Sequence, residues 1–204
     1  MAAPCPSRRP RRSGWRRGSP PACRWRVFTI DIQTGARRSV TRSKDWLNHV
    51  QFSPKDPTLL MYCHEGPWEK VDRIWTIRTD GSARTKVHQR RFQGEIAGHE
   101  YWAPDGRTIW YDLIQPQGVR WLAGHDVVSG ARRWLRIGPG QGSYHYSSTP
   151  DGRSFSGDGN DEGKYISLFH PRLDDSARAR GTLDAAARHC RAGPARSQNR
   201  VAQL

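Results

Sequence analysis

The chain has 204 residues, with 34 Lys+Arg against 19 Asp+Glu and a formal net charge of +15. It holds no run of eighteen apolar residues, which rules out a membrane-spanning helix. Its nine Trp, six Tyr and five Phe argue against a disordered chain, although the apolar fraction is only 35%.

The charge is concentrated at the ends. Residues 1–26 hold eight Arg and no acid, and residues 171–204 carry a net +4, which leaves +3 for residues 27–170. A nucleic-acid binder needs its basic face on a folded domain, so no specific nucleic-acid partner is expected. Arg-rich ends bind polyanions weakly whatever their purpose. Residues 1–24, rich in Arg and Pro, are expected to be disordered. They lack the apolar segment of a secretory signal, and the expected location is cytoplasmic, with no membrane partner. Cys5, Cys23, Cys63 and Cys190 have no paired spacing, so neither a zinc ribbon nor a disulfide framework is supported.

From residue 25 the text becomes strand-like. Phe28, Ile30 and Ile32 alternate with Thr29 and Asp31, and Gln33-Thr34-Gly35 follows as a turn. Leu59-Leu60-Met61-Tyr62-Cys63 is a continuous apolar run, suited to a strand buried on both faces. Trp75 and Ile77 alternate with Thr76 and Arg78 ahead of Asp80-Gly81, a hairpin signal. A further strand is expected over Thr108–Ile114, entered through Pro104-Asp105-Gly106. After Leu173 there is no aromatic residue, and Ala and Arg dominate. Residues 175–204 therefore read as a tail, and Ala/Arg-rich text of this kind is what a GC-rich gene yields in a wrong frame.

One phrase recurs: Phe52-Ser53-Pro54-Lys55-Asp56, Ala103-Pro104-Asp105-Gly106 and Thr149-Pro150-Asp151-Gly152, with the prolines 50 and 46 residues apart. Strand–turn–strand text repeated at that period is the signature of a β-propeller blade. Pro presets φ and Gly supplies positive φ, so each phrase makes the turn between a blade's first two strands. The expected fold is all-β: a partial propeller of about three blades over residues 25–174, with whole blades near 47–92 and 96–138. A closed ring needs about four to eight blades, so self-association through open sheet edges is expected.

His49, His99 and His145 each stand just before one of the repeated turns, near the start of a blade's innermost strand. Three adjacent blades would then aim one His each at the central channel, one way to build a metal or acid/base site. A purely structural role for each repeated His stays open. Cys63-His64-Glu65-Gly66-Pro67-Trp68 and Asp72-Arg73 add reactive residues beside Gly, Pro and Trp, though the first could be only a tight loop. Cys63 reads as a buried strand residue rather than a nucleophile, and His88, His125, His170 and His189 as surface or local structural residues.

Taken in order, His49-Val50-Gln51-Phe52-Ser53-Pro54, Cys63-His64-Glu65-Gly66-Pro67, Asp72-Arg73-Ile74-Trp75, Gly98-His99-Glu100-Tyr101-Trp102-Ala103-Pro104-Asp105-Gly106, and Tyr144-His145 with Gly157-Asp158-Gly159 resemble the oligogalacturonate lyases. The resemblance covers about residues 25–182. It implies a seven-bladed propeller of which this chain is a fragment. It also implies β-elimination of short oligogalacturonates such as digalacturonate in pectin catabolism, with a divalent metal, typically Mn2+. Carried over residue by residue, it implies His99 as the Brønsted base, Arg73 as the arginine at the reacting centre and His145 as a metal ligand. His49 and His64 match pocket positions that would bind substrate. The family's other metal ligands, a Gln and a closely spaced His pair in the last blade, have no match here, where Arg188-His189-Cys190-Arg191 stands instead. The competing readings are a non-catalytic propeller serving as an interaction scaffold, and an Arg-rich polyanion binder.

Overall fold

The computed structural model describes residues 25–139, 141–159, 165–173, 180–185 and 190–191. The segment 1–24, most of the tail 175–204 and His189 lie outside the described residues.

The described residues form an all-β partial propeller. Strands β1 (Trp25–Ile30) and β2 (Arg37–Ser43) make a hairpin, closed by Asp31, whose Oδ1 accepts from the Gln33 and Thr34 N–H groups. Strands β3 (Leu47–Phe52), β4 (Leu59–His64), β5 (Ile74–Arg78) and β6 (Thr85–Lys86) form one antiparallel blade. Strands β7 (Ile96–Trp102), β8 (Thr108–Ile114), β9 (Arg120–Asp126) and β10 (Arg132–Ile137) form the next. Strands β11 (Tyr146–Ser148), β12 (Phe155–Gly157) and β13 (Tyr165–Leu173) continue the series. Beyond them, β14 (Arg180–Ala185) lies between β13 and β10, parallel to β10, and β15 (Cys190–Arg191) pairs with the start of β13. These two short strands lie within the expected tail, and backbone pairing, which needs no apolar stripe, joins them to the sheet.

The blades are stacked face to face, and each junction has its own core. Val27 and Val40 pack with Leu60, Tyr62 and Ile77. Met61 and Ile74 pack with Ala97, Trp102, Ile109, Tyr111 and Leu113. Trp110, Leu122 and Leu135 pack with Tyr146, Phe155 and Phe169. The alternation of a strand explains the arrangement: Leu60 and Tyr62 face one neighbour while Met61 faces the other, so β4 and β8 must be apolar on both faces. The Trp110 and Phe155 rings meet edge to face at 4.9 Å, an arrangement aromatic pairs favour.

Polar ties cross the same junctions. Ser53 Oγ donates to the Gly106 carbonyl at 2.8 Å, joining two successive copies of the repeated turn. Gly106 has φ +70°, and a Cβ there would meet the Lys55 Cβ at 2.5 Å, so both conformation and space call for glycine. His88 is buried, with Nδ1 3.1 Å from the Tyr111 hydroxyl and Nε2 2.7 Å from Glu95 Oε1. It is a local structural residue linking the first blade's outer end to the second blade. His125 sits half-buried on β9, and His170 is exposed on β13 beside Ser154.

Candidate active site

The innermost strands of the two whole blades carry the same irregularity. The β3–β4 register shifts between Asn48 and Gln51, and the β7–β8 register shifts between Gly98 and Tyr101. At each bulge the histidine takes a left-handed backbone conformation, with φ +47° at His49 and +50° at His99. Left-handed backbone is costly for a residue with a Cβ, and bulges re-aim side chains at the rims of sheets. Here the device turns His49 and His99 out of the regular alternation, at equivalent positions one blade apart.

His99 is the centre of the site. Its side chain is 18% exposed, and its Nδ1 lies 3.2 Å from Asp112 Oδ1 on the adjacent strand β8. The His145 ring, from the residue preceding β11, stands edge-on to it at 5.0 Å. Tyr144 and Trp68 flank it at 5.9 and 5.6 Å. Gly98 makes room for this packing, since a Cβ there would stand 3.2 Å from the Trp68 ring and 3.4 Å from Asp112 Oδ1. The Asp112 contact raises the His99 pKa above 6.5, against partial burial, with further help from the Asp112 and Glu100 charges.

His145 is held from the other side. Its Nδ1 is 2.6 Å from Asp158 Oδ2, while Asp158 Oδ1 accepts from the Tyr144 and His145 N–H groups. These bonds keep the Asp158 carboxyl below its ordinary pKa despite some burial, and they orient the ring so that Nε2 is the atom available for coordination.

Arg73 is not an exposed arm. It is 1% exposed, and its guanidinium lies between two partners. Nη1 and Nη2 donate to Glu65 Oε2 and Oε1 at 2.6 and 3.2 Å, while Cζ stands 3.9 Å from the Trp68 ring centroid. Its Nε has no hydrogen-bond partner among the described residues. Glu65 also accepts from Asn48 Nδ2. Burial would raise the Glu65 pKa, but the Arg73 bonds and charge carry it below the ordinary value. The structure thus ties Arg73, through Trp68, to the same neighbourhood as His99.

His49 pairs with the following blade, its Nδ1 3.0 Å from Glu100 Oε1. That bond raises its pKa against desolvation. His49, Cys63 and Glu100 place one ligand atom each within 4.8 Å of one another. His64, at the end of β4, turns elsewhere: its Nε2 is 3.1 Å from Asp45 Oδ2, and it lines a cleft of about 150 Å3 with Thr41, Tyr62, Trp75 and Arg84. Of the five residues named from sequence, the structure gathers His99, His145 and Arg73, places His49 beside Glu100 next to them, and sets His64 in a separate cleft.

The sequence alone assigns no role to Asp112, Asp158, Glu65 or Glu100. Each is the partner of a named residue. Glu65, Glu100 and Asp158 stood inside the quoted motifs, whereas Asp112 could have been found only by pairing β7 with β8 across the bulge.

Comparison with known proteins identifies the family. The family model for oligogalacturonate lyase matches residues 18–167. The chain is 34% identical over 143 residues to an oligogalacturonide lyase of Pectobacterium atrosepticum, covering 69% of this chain and 36% of that protein. It is also 34% identical over 141 residues to an oligogalacturonate lyase of Dickeya dadantii, covering 68% and 35%. Among solved structures, an oligogalacturonate lyase in complex with manganese superposes with a TM-score of 0.65 at 29% identity, covering 71% of this chain and 39% of that one. The oligogalacturonate lyase of Vibrio parahaemolyticus superposes at 0.63 and 27% identity, covering 78% and 42%. The chain therefore spans little more than a third of the length of the curated relatives it matches.

Proposed function

The chain belongs to the oligogalacturonate lyase family, and from that premise we propose that it carries the proton-abstracting part of a lyase site for short oligogalacturonates, with His99 as the base. The observation that supports this best is the His99–Asp112 contact at 3.2 Å, with the rings of Trp68, Tyr144 and His145 around the imidazole. The carboxylate stands at ion-pair distance from Nδ1 without hydrogen-bond geometry, and it favours the neutral tautomer with its proton on Nδ1, which leaves the Nε2 lone pair for the substrate proton.

The proton to be removed lies on C5 of a galacturonate unit, beside the carboxylate. His99 Nε2 takes it, and negative charge develops on the carboxylate as an enolate-like intermediate. The electron pair then forms the C4–C5 double bond and expels the C4 oxygen, which takes a proton from solvent and leaves as the alcohol of the shortened sugar, while the proton on His99 returns to solvent. No water is consumed, so the paired carboxylates of a glycoside hydrolase are not needed. Arg73 places a fixed cation near the developing charge, and its Nε has no partner among the described residues. Tyr144, whose ring is exposed beside His99, offers a face to the sugar rings.

The family's manganese would take His145 as one ligand. Among the described residues no three-donor cluster includes His145, so they do not make up a manganese site by themselves, and the steps above run through protein groups alone. Digalacturonate is the proposed substrate. No helix of the described residues is long and apolar enough to cross a membrane, and a cytoplasmic location is proposed. Self-association of the chain through its open edges also belongs to this reading.

The test is the ultraviolet absorbance of the conjugated double bond when the purified chain, with manganese, is given digalacturonate. Product formation that vanishes in His99→Ala is expected. A chain that binds a protein partner unchanged in His99→Ala but never forms the double bond would favour the scaffold reading instead.

A further inference from the structure

The cluster of His49, Cys63 and Glu100 has a composition that proton abstraction does not require. We infer that it is a binding site for a thiophilic divalent cation of the zinc type, separate from the manganese ligand His145, and the inference stands whether or not the lyase reading does. His49 and Cys63 come from the paired strands β3 and β4, and Glu100 reaches in from β7 of the next blade. An imidazole, a thiol and a carboxylate thus converge with their ligand atoms within 4.8 Å.

Three observations point to a cation. The Glu100 side chain is 0% exposed, and its Oε2 has no hydrogen-bond partner among the described residues. A buried carboxylate oxygen without a partner is costly, and a metal ion satisfies it. The bulge that twists His49 into positive φ is what delivers Nδ1 to this point. Finally, the His49 side chain is 44% exposed while Cys63 and Glu100 are buried, so the site is closed within the protein and open on one side. Three protein ligands with one open position is the arrangement zinc takes when it keeps a water. The thiolate decides the class of ion: sulfur favours zinc, cobalt or cadmium over manganese and magnesium, which prefer oxygen.

The charges balance. Without a metal, burial and the neighbouring Glu100 charge push the Cys63 thiol well up, so it stays protonated. On binding, the thiol proton leaves to solvent and His49 coordinates as neutral imidazole. Thiolate and carboxylate then neutralise the dication, and one proton or more is released.

The test uses cobalt(II) as the probe, added to the full chain carrying Cys5→Ser, Cys23→Ser and Cys190→Ser so that Cys63 is the one thiol. The expected result is one cobalt per chain with a near-ultraviolet sulfur-to-cobalt charge-transfer band. Zinc should displace it and excess manganese should not. The band should be lost in Cys63→Ser and persist in His145→Ala. Glu100→Gln, which keeps the shape of the side chain, should weaken zinc binding by at least the roughly 10–100-fold that loss of an outer-shell partner costs. Cobalt that binds without the band, or a band unchanged in Cys63→Ser, overturns the site and leaves the cluster as a hydrogen-bonded tie between blades. The spectrum of the chain with Cys63 intact is itself decisive, so a poorly folding variant does not rescue the proposal.

Discussion

The Arg73–Glu65 pair gives the sharpest stability prediction. Glu65→Gln keeps the size of the side chain and removes its charge. The guanidinium has a side-chain exposure of 0% and the carboxylate 10%, and the bonds between them measure 2.6 and 3.2 Å. Removing one partner of such a pair strands the other charge away from water, at a cost of about 3–5 kcal/mol. Whole domains of this size are stable by only about 5–15 kcal/mol, so the variant should unfold at a much lower urea concentration. Arg73→Met in the Glu65→Gln background removes the stranded charge and should recover most of the loss. Urea titration followed by Trp fluorescence measures all the corners of this double-mutant cycle. A Glu65→Gln loss below about 1 kcal/mol, the value of an exposed ion pair, would refute the buried geometry on which the placement of Arg73 rests.

Gly106→Ala and Gly130→Ala separate backbone strain from packing at the turns. Both glycines have φ near +70°, but an added Cβ meets Lys55 at 2.5 Å at Gly106 and nothing within 4 Å at Gly130. Thermal melts should show a loss of about 1 kcal/mol for Gly130→Ala and clearly more for Gly106→Ala; equal losses would mean that the blades do not meet at Ser53 and Gly106. His125 supplies a pH dependence of definite sign. Burial lowers its pKa from 6.5 to about 4, so the unfolded chain binds the proton first as pH falls. The stabilising contribution is complete above pH 6.5 and is lost as pH drops towards 4. Full burial would make it about 3 kcal/mol, and half-burial with solvent screening reduces it to roughly 1–2 kcal/mol. The stability difference between the chain and His125→Asn, measured in urea from pH 7 to pH 4, should shift by that amount; no shift would contradict the burial.

The blade pattern was legible because it rests on local chemistry. Pro104-Asp105-Gly106 encodes its own turn, and an apolar run such as Leu59–Cys63 fits only a strand covered on both sides. The gathering of His99 and His145 followed from their equal position relative to that turn. What could not be read is what crosses between blades or depends on register. The bulge that gives His99 positive φ and sets Asp112 beside it appears only when β7 and β8 are paired. The burial of Arg73 against Trp68 and Glu65 is a packing result, since an Arg among polar residues reads equally well as a surface residue. His64 lies one residue from Cys63, yet strand alternation sends it towards Asp45 instead of the His49 cluster. The pairing of Arg180–Ala185 with β13 and β10 has no side-chain signature at all.

The protonation state of His99 decides whether it can act as the base, because a base needs its lone pair on the atom that faces substrate. Histidine side-chain nitrogen NMR of the chain, titrated from pH 4 to pH 9, reports both tautomer and pKa. The expected result is a neutral form protonated on Nδ1 and a pKa above 6.5 that falls in Asp112→Asn. A neutral form protonated on Nε2, or a pKa unmoved by Asp112→Asn, would contradict it and remove His99 from the role of base.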